Sequence, residues 1–118
     1  MVRSLIRAGA FALLALLVFH AGPAEAAELV VVERTGCAYC AKWAIEVAPV
    51  YPMTDEGRRL PLRRVDLADG QPSGAATPVR YTPTFLVMDG GHEVGRITGY
   101  MNDAMFWGML SAIAARLP

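Results

Sequence analysis

Cys37-Ala38-Tyr39-Cys40 constrains this chain more than any other stretch, because these are its only two cysteines and they stand at the end of the apolar run Leu29-Val30-Val31-Val32. Thiols this close can pair with each other, share one metal ion, or pass electrons. At the mouth of a helix the first thiolate is favoured by unsatisfied backbone N–H groups and the macrodipole, and the second follows one turn deeper. A disulfide across a two-residue gap closes so small a loop that it constrains the unfolded chain little, which points to chemistry rather than to a structural staple.

The N-terminus reads as an export signal rather than as part of the fold. Arg3 and Arg7 form a positive n-region, Ala8 to Phe19 an apolar h-region of 12 residues, and Ala24-Glu25-Ala26 a small-x-small cleavage site. Such an h-region is shorter than the roughly 20 residues a membrane span needs. The expected division is therefore a cleaved signal peptide over 1–26 and one small domain over 27–118. Export puts the thiols in an oxidising compartment, the periplasm, where a reductive role requires an electron donor. The formal net charge of zero gives no electrostatic case for nucleic acid or an anionic membrane surface.

Along the domain, Glu28 to Glu33 reads as a buried strand, and Thr35-Gly36 breaks it. A helix follows, with Tyr39, Trp43, Val47 and Val50 as its stripe, broadened by Ala44 and Ile45, until Pro49 and Pro52 end it. Thr54-Asp55-Glu56 predicts a short capped helical turn that Gly57 weakens. Leu62 to Asp66 is a second strand. The segment from Leu67 to Val79, rich in Gly, Pro, Ser, Thr and Ala, is the loosest, with one helical turn expected at Ala75-Ala76. Thr84 to Met88 is a strand by its β-branched and aromatic content, Asp89-Gly90-Gly91 a hairpin turn, and His92 to Thr98 the partner strand, where Gly95 marks a bulge or a close backbone approach. Asn102 or Asp103 caps a last helix with Phe106, Met109, Leu110 and Ile113 inward. Met101, Met105 and Met109 are expected to fill core. The order is β-α-β, then β-β-α.

This strand, CxxC and helix arrangement, with Thr82-Pro83-Thr84-Phe85 at a later strand start and Asp89-Gly90-Gly91 leading to Gly99-Tyr100, resembles the thioredoxin superfamily over nearly all of residues 28 to 117. The resemblance implies a minimal α/β thioredoxin-like fold around a mixed central sheet. It implies that Cys37 is the nucleophile and Cys40 the resolving thiol, and that Pro83 is the family's cis-proline beside the sulfurs. It further implies that the Thr82 backbone binds substrate; Tyr39 is expected at the rim of the redox site. Departures are visible. Ala-Tyr replaces the common Gly-Pro between the cysteines, Val31 stands where thioredoxins carry a buried acid, leaving Glu33 or water to handle the proton of Cys40, and the first strand-helix pair is missing.

Cys37 to Trp43, Glu46-Val47, Tyr51-Pro52, Glu56-Gly57-Arg58, Pro61 to Asp66 and Phe106-Trp107-Gly108 are most similar to the SoxS-type periplasmic thioredoxins of bacterial sulfur-oxidation systems. That similarity implies a monomer without a cofactor that reduces a disulfide of a sulfur-oxidation carrier protein, with electrons from a membrane thiol donor. Two other functions compete: a disulfide oxidase or isomerase, and a soft-metal carrier using Cys37, Cys40 and His92. Haem attachment of the c type is excluded, since Ala41 stands where His is required.

Overall fold

The computed structural model describes residues 26–118, so all of the expected signal peptide except Ala26 lies outside the described residues. Four strands form one mixed sheet in the order β2-β1-β3-β4. They are β1 (Glu28–Glu33), β2 (Leu62–Asp66), β3 (Thr84–Asp89) and β4 (His92–Thr98). β1 runs parallel to β2 and antiparallel to β3, and β3 pairs antiparallel with β4. Three helices complete the fold: α1 (Ala38–Glu46), α2 (Asp55–Arg59) and α3 (Asp103–Ala114). No helix among the described residues is long and apolar enough to cross a membrane.

The continuous apolar run in β1 follows from burial on both of its faces. Leu29 and Val31 join Phe85, Val87 and Ile97 on the helix-covered face, against Trp43 of α1, Val47 at its C-cap, and Phe106, Leu110 and Ile113 of α3. Val30 and Val32 face the other way with Leu86 and Met88, and Val79 and Ala75 of the 67–79 segment cover them. That segment therefore does the work of a helix layer without being helical. A 3₁₀ turn capped by Asp66 occupies Leu67–Asp69, and the helical turn expected at Ala75-Ala76 is not there. Side chains pin the segment instead. The Gln71 side chain donates to the Val79 carbonyl and accepts from its N–H, Glu93 accepts from the Ala76 N–H, and Arg96 donates to the Thr77 carbonyl.

Four expected core positions are corrected. Ile45 is 77% exposed, because α1 turns only Cys40 and Trp43 fully inward, with Val47 buried at its C-cap, and Val50 lies past the helix end. Met101 and Met109 also face solvent, with Ala114 taking the inward place on α3. Gly95 serves both purposes anticipated for it. The ladder skips Val94 between the Val87–Gly95 and Met88–Glu93 pairs, and a Cβ at Gly95 would press on the Ile113 side chain. Gly57 is buried, and a Cβ there would overlap the carbonyl of Tyr51.

Candidate active site

The turn leaving β1 places the first cysteine. The Cys37 N–H donates to the Arg34 carbonyl at 3.2 Å, closing a turn in which Gly36 takes φ +79°, the left-handed value that glycine adopts without steric cost. Cys37 then caps α1, its Sγ accepting from the Cys40 N–H at 3.1 Å. The two cysteines form a disulfide with their Cα atoms 5.2 Å apart. Cys37 is half-buried and Cys40 only 5% exposed, so the outer sulfur is the accessible one. No acidic residue occupies the first turn of α1 to oppose an anion at its mouth.

Strand register brings the remaining segments to the same end of the sheet. Val32 of β1 pairs with Thr84 of β3, and Thr84 with Thr98 of β4. The chain leaving β1 toward Cys37, the chain entering β3 from Pro83 and the chain leaving β4 at Gly99 therefore emerge together. The Thr82–Pro83 peptide bond is cis, and the Pro83 carbonyl accepts from the Gly99 N–H at 2.8 Å. Pro83 is buried and Thr82 half-buried. Tyr39, 61% exposed on the first turn of α1, does not line the hollow beside the disulfide.

That hollow, about 480 Å³, is walled by Glu33, Arg34, Gly36, Cys37, Cys40 and Ala41. Glu33 is thus near the sulfurs, but its carboxylate is held by two hydrogen bonds from Arg64, at 2.8 and 2.7 Å. Those bonds raise the Arg64 guanidinium above its already high value, against the opposing effect of burial. Arg64 also lies over the Trp43 ring, 5.6 Å from its centroid. His92 is removed from the site altogether. It pairs with Asp89 at the hairpin, the far end of β3 from Thr84, roughly 17 Å away at about 3.3 Å per residue. A third thiol-side ligand from His92 is therefore ruled out, and no group of three potential metal ligands occurs among the described residues.

A network that the sequence did not reveal ties α1 to the β4–α3 loop. Lys42 Nζ donates to the Met101 carbonyl at 2.6 Å and lies 3.8 Å from Glu46, while the Tyr100 hydroxyl donates to Glu46 at 2.5 Å. Burial and then Glu46 drive the Tyr100 phenol well above its usual range, so it stays a donor. The i,i+4 spacing of Lys42 and Glu46 was readable, but their partners across the fold were not.

A thioredoxin-like domain model matches residues 20–114. The periplasmic thioredoxin SoxS from Paracoccus pantotrophus, solved in its reduced form, is 45% identical, with 75% of this chain and 96% of that chain covered and a TM-score of 0.72. A thioredoxin from Thermus thermophilus (22% identity, 77% and 75% covered, TM-score 0.57) and a poplar thioredoxin h (20%, 78% and 79%, 0.55) share the fold. Among curated proteins none matches. With its strand order, its cysteine pair at a helix mouth and these similarities, the chain belongs to the thioredoxin-like family of thiol–disulfide oxidoreductases.

Proposed function

We propose that the protein, freed of residues 1–26, is a periplasmic reductase of a partner protein's disulfide, and that it works as a monomer without a cofactor. Cys37 attacks as thiolate, its sulfur bonding to one substrate sulfur while the substrate S–S bond breaks and the other sulfur leaves as thiolate. Cys40 then loses its proton and attacks Cys37 Sγ. This releases the second substrate thiol and leaves the Cys37–Cys40 disulfide, two electrons having passed to the substrate. A membrane thiol donor returns the pair to the dithiol.

The observation that supports these roles best is the contrast between the two sulfurs. Cys37 is half-buried at the cap of α1, and Cys40 is 5% exposed one turn deeper. Thr82 and Pro83 lie on the segment that would pair with an extended substrate, and Tyr39 stands on the exposed first turn where it would meet the partner. Similarity to a protein described as a periplasmic thioredoxin supports the compartment and the SoxS-type assignment, hence a sulfur-oxidation carrier as partner.

Direction of electron flow is read from the reduction potential. A value near about −270 mV fits a reductase and one near about −120 mV an oxidase. Equilibration of the purified protein with glutathione or dithiothreitol buffers, followed by thiol alkylation, gives that value. The first result is expected.

A further inference from the structure

We propose that Arg34, supported by Arg80, selects protein disulfides whose cystine is flanked by carboxylates. The inference rests on the disulfide-reductase reading above and adds the charge of the preferred substrate.

Arg34 is fixed close to the reacting sulfur by the backbone. Its carbonyl accepts the Cys37 N–H at 3.2 Å across a four-residue turn, which sets the two Cα atoms within about 7 Å. Arg34 is exposed and is one of the residues that wall the hollow together with Cys37 and Cys40. Yet the guanidinium makes no hydrogen bond or ion pair among the described residues. Four other arginines are ion-paired, Arg58 with Asp55, Arg63 with Glu28, Arg64 with Glu33 and Arg96 with Glu93. Arg59 donates to the Ala114 carbonyl, whereas Arg116, like Arg34, has no ion pair but lies beyond the end of α3. Even the adjacent acid, Glu33, is committed elsewhere. Since Glu33 is the only acid walling the hollow and Arg64 neutralises it, the hollow's charge is the one unopposed cation of Arg34.

The second entrance segment repeats the pattern. Arg80 is exposed, also lacks a side-chain partner among the described residues, and stands three residues before Pro83. Arg80 walls a separate hollow with Tyr81, Thr84 and Thr98, so the two unopposed guanidiniums stand on different segments at the same end of the sheet, Arg34 nearer the sulfurs. Fixed charge of one sign beside a reacting centre raises the encounter rate of oppositely charged partners and disfavours like-charged ones.

The test uses two peptide disulfides of identical sequence except that the residues flanking the cystine are Glu in one and Lys in the other. Rates of exchange with the reduced protein are measured by stopped flow, and the Glu-to-Lys rate ratio is compared between variants. Each unit of protein charge removed is expected to change either rate about threefold per flanking charge at low salt, in opposite senses for the two peptides, from a Coulomb interaction over 6–7 Å in water, and so to lower the ratio about ninefold. Arg34→Gln should give that loss, Arg34→Glu a larger one, Arg34→Lys recovery, and Arg80→Gln a smaller decrease. Arg116→Gln, which removes a cation beyond the far end of α3, should change nothing. All differences should fade at 1 M salt, where the screening length is about 3 Å. A ratio that is the same in wild type, Arg34→Gln and Arg34→Glu overturns the inference while leaving the reductase reading standing. A wild-type protein inert toward both peptides removes both.

Discussion

Val32 stands directly opposite Thr84 in the antiparallel pairing of β1 and β3, and this single register position determines what meets at the site. A one-residue slip of β3 would exchange Phe85 and Val87 with Leu86 and Met88 between the two buried faces, so the pairing that sets Phe85 beside Val31 also fixes Cys37 and Pro83 at a shared end.

Gly57 tests whether close approach outweighs helix propensity. On propensity alone, Gly57→Ala in α2 would stabilise by about 1 kcal/mol. The Tyr51 carbonyl occupies the space the methyl group needs, and that carbonyl also accepts from Thr54 Oγ1 at 2.7 Å. Loss of about 1–3 kcal/mol is therefore expected in urea unfolding, the usual range for overpacking. An increase in stability would show that the Tyr51 turn yields easily.

Glu93 and Arg96 give a pH dependence with a definite sign. Burial pushes the Glu93 carboxyl upward, but hydrogen bonds from Arg96 and the Ala76 N–H and the Arg96 charge outweigh it, and the net direction is below the usual carboxylate range. Its stabilising contribution is thus fully present above about pH 4.3, the unfolded value, and is lost as pH falls through the lower folded value. Glu93→Gln should cost about 1.5–3 kcal/mol at pH 7, the range for hydrogen bonds to charged groups. The gap between variant and wild type should close in acid. Denaturant midpoints from pH 7 to pH 2 measure it; a gap that persists at pH 2 contradicts the pairing.

Tyr100→Phe removes the hydroxyl that donates to Glu46 and should loosen the β4–α3 loop from α1. Hydrogen exchange at Gly99 to Met101 is expected to rise, with a stability loss of about 1.5–3 kcal/mol. Unchanged exchange would mean that Lys42, bonded to the Met101 carbonyl, holds the loop alone.

Much of this architecture was legible from the sequence because its signals are local. β1, β2 and β4 end at the residues their apolar patterns and turn glycines indicate, and Asn102 caps α3, accepting the Met105 N–H at 2.9 Å. The cysteine pair was readable by type and spacing, and Pro83 through the resemblance to the thioredoxin superfamily. What escaped depends on contacts distant in sequence. Ile45 and Met109 have the composition of core residues, yet the faces they occupy have no neighbour. The 67–79 segment covers a sheet face through Gln71, Glu93 and Arg96, whose bonds no periodicity announces. His92 looked available to the cysteines only until the hairpin carried it to the opposite end of the sheet.

The central claim is the unequal assignment of the two sulfurs, and covalent capture tests it most directly. Each single Cys→Ser variant is reduced, exposed to a disulfide-containing partner protein and run on a non-reducing gel. Cys40→Ser should accumulate a mixed disulfide through Cys37 that dithiothreitol releases, while Cys37→Ser, with its remaining sulfur almost sealed, should accumulate little. Equal capture by both variants, or stronger capture through Cys40, would contradict the account.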